Sequence, residues 1–248
     1  MQNAKNRLKY LAVLIALVIS MSMQINMPIF AVEQKSNQKV VTEKKETKVS
    51  VKNNTKIYKS NKKSSKVICV LYSGMSCKVI KQKGKFTLLF VYGLGKGWVE
   101  TKRISQKKNF ISKKQQNKLV KKGIKKAKQI EKDKLRKSIC VEAMKYVGKL
   151  PYVYGCSDLN YGADCSGFTS AVYRKFGINI SRSSDAQTWA GKAVTLKEAK
   201  AGDIICYPGH VALYVGNNKI VHATVPGQYV ACTSIGVIQP IIRIVRYI

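Results

Sequence analysis

Three side chains carry most of the chemical potential of this sequence. Residues 163–168 read ADCSGF and residues 209–215 read GHVALYV. The chain has only two histidines; His210 opens the second stretch and His222 follows in IVHA. A cysteine with a histidine in reach is a nucleophile with a base to take its proton. Cys165 precedes a helical pattern, CSGFTSAVYRKFG, with Phe168, Ala171, Val172 and Phe176 on one face and Gly177 as its stop. A thiol at a helix head meets unpaired backbone N–H groups and the positive end of the dipole, and both favour the thiolate. Its own N–H is placed to stabilise an oxyanion. The small neighbours Ser166 and Gly167 leave room for a substrate backbone. The competing reading is a buried, inert cysteine and a structural histidine at a strand end.

The two histidines flank a hairpin, and side-chain alternation gives a geometric test. They share a face only if paired residue numbers sum to an even value. A plain two- or four-residue loop centred on Asn217-Asn218 gives an odd sum. The pairing therefore predicts an odd-length loop or a bulge. With it, His222 reaches the ring nitrogen of His210 that faces away from the thiol and fixes its tautomer.

The elements that must position these residues follow from pattern. SICVEAMKYVG (138–148) reads as an amphipathic helix stopped by Gly148, then comes the Gly- and Tyr-rich loop PYVYGCSDLNYGAD. Strand-like runs DIICY, HVALYV, KIVHA and IIRIVRY come last. Helices first and antiparallel strands after is an α+β arrangement for residues 138–248. Upstream, 51–105 alternates apolar and polar residues in short runs between glycines, the pattern of a small all-β barrel. Residues 106–137 are dense in lysine, with Leu119, Ile124, Ala127 and Ile130 near helical spacing, and read as a partly helical linker. Residues 32–50 read as an exposed polar leader. Residues 1–31 read as a signal peptide: Lys5, Arg7 and Lys9 precede an apolar run from Leu11 to Met23, and Ala31 offers a small residue for cleavage. The apolar run is shorter than the ~20 residues a membrane span needs.

DCSGF, GHVALYVG and IVHA in this order resemble the NlpC-type family of papain-like cysteine peptidases of bacterial cell walls. PYVYG, RSSDAQ (182–187) and AGDIICY match the family pattern in sequence order as well. The resemblance covers about 110 residues and implies the following roles. Cys165 is the nucleophile, His210 the general base and His222 its orienter. Tyr152 places its hydroxyl near the thiol, and Asp164, Ser166 and Ser184 help bind the peptide. The substrate is a peptidoglycan stem peptide, cut at the γ-D-glutamyl to diamino acid bond, with Asp164 pairing a free stem amine. No cofactor and no metal are implied. From the residues alone, Asp164 reads equally as the cap of the helix that Cys165 begins, and Ser183 or Ser184 as the cap of the next. Tyr154 stands where the family usually has Trp, and Cys156 where it has Gly. Cys156 also raises the prospect of an oxidised pair with Cys165. SSKVICVL, SGMSCKVI and KGKFTLLFVYGLGKGWVE resemble the bacterial SH3-like domains of cell-wall enzymes, in which Gly97-Trp98-Val99 ends the penultimate strand.

Charge bounds the partners. The net charge is +34, and 35 of the 46 Lys and Arg residues lie at or before Lys137. For an exported, wall-associated protein the available polyanions are cell-wall polymers, so the basic N-terminal half points there. Nucleic acid is disfavoured, since no recognition motif accompanies the charge. Seven cysteines leave at least one unpaired within the chain. Two other readings are open: a non-catalytic basic wall-binding protein, and an amidase or acyltransferase on the same fold.

Overall fold

The computed structural model describes residues 47–106 and 109–248. The expected signal peptide, and the expected leader up to residue 46, lie outside the described residues. Residues 45–248 form one compact unit. Among the described residues no helix is long and apolar enough to cross a membrane.

Short alternating runs in the first part become seven strands: β1 (Lys48–Val51), β2 (Thr55–Tyr58), β3 (Val67–Leu71), β4 (Cys77–Lys83), β5 (Phe86–Val91), β6 (Gly95–Glu100) and β7 (Ile104–Ser105). They form an antiparallel sheet in the order β3-β2-β6-β5-β4-β1-β7. Strand β1 begins inside the stretch expected to be leader. Val49 and Val51 are the reason, because both turn into the core with Ile57, Leu71, Met75, Leu89 and Val99. Gly97 of β6 lies so close to β2 that a Cβ there would sit 2.5 Å from Ile57. Gly97, Trp98 and Val99 thus belong to the penultimate strand of this sheet.

The lysine-dense stretch is helical from Lys113 on, as its spacing predicts, and that helix runs past residue 137 as one element, α1 (Lys113–Met144), capped by Ser112, whose side chain accepts from the Gln115 N–H. The expected break near residue 138 is absent. The helix is continuous because its apolar and small residues recur every three or four positions. Val120 and Ala127 pack on the β1–β7 core, whereas Ile139 and Ala143 enter the core of the C-terminal part. Gly123 permits the contact: a Cβ there would lie 2.1 Å from the Val70 carbonyl oxygen of β3. Buried Gln116 bonds the backbone of Ser76 and Tyr92. The lysines occupy the other faces.

The C-terminal part is α+β, as its pattern predicts. After β8 (Ser157–Asp158) and β9 (Gly162–Ala163) come α2 (Cys165–Arg174) and α3 (Ser184–Ala190). Strands β10 (Lys192–Ala193), β11 (Ile204–Tyr207), β12 (His210–Gly216), β13 (Lys219–His222), β14 (Ala231–Ser234) and β15 (Arg243–Arg246) follow. They form an antiparallel sheet in the order β10-β15-β11-β12-β13-β14. Phe168 and Val172 of α2 pack on Val211, Leu213 and Val221 of this sheet.

Candidate active site

The β12–β13 hairpin contains the irregularity that the parity argument requires. Asn217 and Asn218 both have positive φ, forming a two-residue turn between Gly216 and Lys219. The register shifts between Tyr214 and Gly216, and from Tyr214↔Ile220 onward the partner sums are even. His210 and His222 thereby share one face. His210 Nε2 lies 3.0 Å from His222 Nδ1, and His222 Nε2 lies 3.1 Å from Thr233 Oγ1. Thr233 is on β14, a strand whose only trace in the sequence is the brief alternation VACTS. Its alignment with His222 depends on a neighbouring strand, so local sequence gives no hint of it. The Tyr207 ring lies beside His210, with centroids 6.2 Å apart.

Cys165 is the first residue of α2, and its thiol takes the backbone N–H of Val211 and of Ser166. It therefore sits at the head of β12, one residue past His210. No hydrogen bond joins the thiol to the His210 ring in this resting geometry. Burial pushes the thiol up from its ordinary value, and these N–H groups only partly offset that. Burial and then the neighbouring His222 push His210 down to about 4; burial likewise lowers His222 to about 4. The resting pair is a neutral thiol and a neutral imidazole. The backbone N–H groups lower the thiol, in the expected direction, but desolvation of the sulfur outweighs them.

Asp164 is the N-cap of α2. Its Oδ1 accepts from Gly167 N–H at 2.7 Å, and its Oδ2 from Gly155 N–H at 2.9 Å. The Arg182 guanidinium grips both oxygens, at 2.8 and 2.7 Å, and also reaches Ser166 Oγ and the Cys156 carbonyl at 3.0 Å. Burial works to raise the Asp164 carboxyl, but Arg182 and the two N–H donors prevail and hold it below its usual value. Five hydrogen bonds from within the chain converge on this carboxylate, which also lines the cavity beside Cys165. Gly167 likewise serves the chain itself: a Cβ there would lie 2.0 Å from the Cys156 carbonyl oxygen. The glycine admits the loop before the helix, not the substrate backbone expected from sequence. Gln187 ties Ser166 O to Ser181 O at 2.9 and 2.7 Å and locks α3 onto α2. Arg182 and Gln187 are the positioning residues that RSSDAQ contributes. Ser183, not Ser184, caps α3.

A cavity of about 450 Å³ opens here. Cys165 lines it with Tyr152, Asp164, Ser166 and Ser184, and Gly209 brings in the turn before His210. Neither His210 nor His222 lines this cavity. Burial first, then proximity to Cys165, raises the Tyr152 hydroxyl, which stays a hydrogen-bond donor at neutral pH. Tyr154, 87% exposed, stands at the rim. All seven cysteines are free thiols, Cys156 and Cys165 among them.

Residues 148–239 match the family model described as NlpC/P60 family. The chain carries an NlpC/P60 family domain. This NlpC/P60 domain is 37% identical over 101 residues to the bifunctional muramidase/DL-endopeptidase CwlT of Bacillus subtilis, covering 37% of this chain and 30% of that protein. It is 37% identical over 87 residues to the γ-D-glutamyl-L-lysine dipeptidyl-peptidase of the same species, covering 32% of this chain and 29% of the relative. Against the crystal structure of the NlpC/p60 domain of the peptidoglycan hydrolase SagA it shows 36% identity and a TM-score of 0.40, covering 45% of this chain and 98% of that one. The chain spans 20 to 41% of the length of the first four curated relatives it matches. The curated relatives of this domain thus include a named DL-endopeptidase and a named γ-D-glutamyl-L-lysine dipeptidyl-peptidase.

Proposed function

We propose that this protein is a secreted, wall-associated cysteine endopeptidase that cuts peptidoglycan stem peptides at the γ-D-glutamyl to diamino acid bond. The observation that carries the reading is the polar relay His210–His222–Thr233 standing beside a helix-head cysteine that opens onto a cavity. With His222 on Nε2, the free Nδ1 of His210 is the nitrogen left to act as base. A proton on His210 Nε2 shared with His222 Nδ1, and one on His222 Nε2 shared with Thr233, leave that Nδ1 unprotonated.

His210 Nδ1 takes the thiol proton as Cys165 Sγ attacks the γ-carbonyl carbon. The carbonyl oxygen becomes an oxyanion, with the Tyr152 hydroxyl and backbone N–H groups at the helix head as donors. The C–N bond breaks as His210 returns its proton to the leaving amine. Water then attacks the thioester with His210 as base, releasing the γ-D-glutamyl carboxylate and the thiol. Ser166 and Ser184 line the cavity as peptide-binding hydroxyls. Asp164 acts through the helix cap and Arg182, as a positioning residue. The antiparallel β1–β7 unit is read as an SH3-like wall-binding module, with anionic wall polymers as partners of the basic N-terminal half.

The test is digestion of purified peptidoglycan and of a soluble stem tetrapeptide by wild type and Cys165→Ala, with products read by mass. Cleavage after D-glutamate, lost in the variant, is expected. Cleavage at another bond, or retained by Cys165→Ala, refutes the assignment.

A further inference from the structure

On the far side of the C-terminal part lies a second cavity, of about 360 Å³, between α1 and the β10–β15 edge. Its lining includes Gln129, Lys132, Arg136, Lys192, Lys200 and Arg246. Arg136 is 6% exposed, and its Nε has no hydrogen-bond partner among the described residues. Its other nitrogens bond Asp203 Oδ1 at 3.0 Å and the Ile248 oxygen. Arg246 grips the same carboxylate at 2.9 and 2.7 Å, so two guanidiniums share one fully buried acid. Two other acids are nearby: Asp133, whose Oδ1 accepts from Gln129 Nε2 at 2.8 Å, and Glu198, whose carboxylate faces Thr195 and feels Arg246 and Lys192. Lys132, Lys192 and Lys200 are exposed and form no ion pair among the described residues. The cavity thus has a floor of two guanidiniums held by Asp203 and a rim of three unpaired ammonium groups. The rim ammoniums are the free donors, and as charge-assisted donors they suit an oxyanion.

The site continues along α1. Lys132, Lys128, Lys125, Lys121 and Lys114 are all exposed, and at 100° per residue they fall within an arc of about 60°. Steps of three and four residues space Lys132, Lys128, Lys125 and Lys121 about 5–6 Å apart, and Lys114 lies about two turns further on. A single anion needs only the cavity, whereas a row of charges leading into it fits a chain of anions. No aromatic side chain interrupts this row, and the cavity's aromatic, Tyr247, is tied to the Gln187 carbonyl and the Tyr173 ring, so successive nucleobases have no stacking row.

We infer that the cavity mouth and the α1 stripe bind a phosphodiester-linked polyol polymer, one phosphate seated among Lys132, Lys192 and Lys200 and the next ones along Lys128, Lys125 and Lys121. This deepens the wall-anchoring part of the proposed function and rests on that part alone.

The experiment uses the full chain and three probes: a synthetic oligo(glycerol phosphate), inorganic phosphate, and an oligo-dT of equal charge. Lys132→Gln/Lys192→Gln/Lys200→Gln is compared with Lys149→Gln/Arg174→Gln/Lys219→Gln, which removes equal charge from exposed residues of the C-terminal part outside the cavity lining. The cavity triple is expected to weaken polyol phosphate binding at least ~10-fold and the control less than ~2-fold, with a salt slope lower by about 2 for three lost contacts. Equal losses from both triples refute the site in favour of diffuse attraction. Inorganic phosphate binding as tightly as the oligomer assigns the cavity to free phosphate and overturns the polymer. Oligo-dT bound as tightly, with the same sensitivity, overturns the polyol choice. Soluble stem-peptide hydrolysis by the cavity triple should match wild type. If wild type cleaves no stem peptide, the peptidase reading fails while the binding comparison still decides the site.

Discussion

The pH profile is the most direct examination of the site, because burial rather than charge pairing sets its protonation. His210 is lowered from 6.5 to about 4. At pH 5 a ring with that value is about nine-tenths neutral, whereas an ordinary imidazole is about 3% neutral. The two cases differ about 30-fold in the fraction of competent base, and hence in kcat/KM relative to the plateau. The assay is hydrolysis of a soluble stem tetrapeptide from pH 3.5 to 8, with kcat/KM showing an acid limb near 4. In parallel, alkylation of Cys165 by iodoacetamide should rise only as pH passes above the ordinary thiol range, since burial raises that thiol. The stability consequence has a definite sign. Both histidines are depressed in the folded state, so between pH 6.5 and 4 the unfolded chain binds protons that the native state refuses. Stability is full above 6.5 and falls as pH drops through that window, by about 3 kcal/mol for each ring. An acid limb near 6.5, or alkylation already fast and flat from pH 4.5 to 8, would refute the neutral-pair reasoning and point to a thiolate–imidazolium pair.

Three further outcomes follow from particular contacts. Thr233→Val removes the partner of His222 Nε2 in a buried relay; kcat should fall on the order of 10-fold with KM unchanged, and Thr233→Ser should restore it. A KM effect, or no rescue by serine, would remove Thr233 from the relay. Gly123→Ala drives a Cβ into the Val70 carbonyl and should cost about 1–3 kcal/mol, read as a lowered Tm. An unchanged Tm would mean that α1 is not seated on β3. Arg182→Lys replaces the bidentate grip on Asp164 with a single contact, and because Arg182 is 41% exposed the cost should be modest, about 1–2 kcal/mol, with a larger loss in kcat than in stability. Retention of wild-type kcat would show that the cap alone positions Cys165.

Local rules carried much of this protein. The α2 helix and its Asp164 cap, the α3 start in RSSDAQ, the α+β order of 138–248 and the bulge in the β12–β13 hairpin were all legible. Each follows from residues within a few positions of one another: helical spacing, a cap, a turn, the parity of a strand. Spatial neighbours distant in sequence decided the rest. Arg182 reaches Asp164 across 18 residues and braces the carboxylate that caps α2. Thr233 joins His222 only because β14 lies beside β13. The lysine-rich stretch reads as a spacer until Gly123 and Val120 are set against β3, and the basic cavity exists only where α1 meets the β10–β15 edge. The thiol is the sharpest case. The sequence places Cys165 at a helix head, which favours charge, but only the folded surroundings set how much water the sulfur loses. Desolvation is a property of the whole packed neighbourhood, and here it outweighs the helix end.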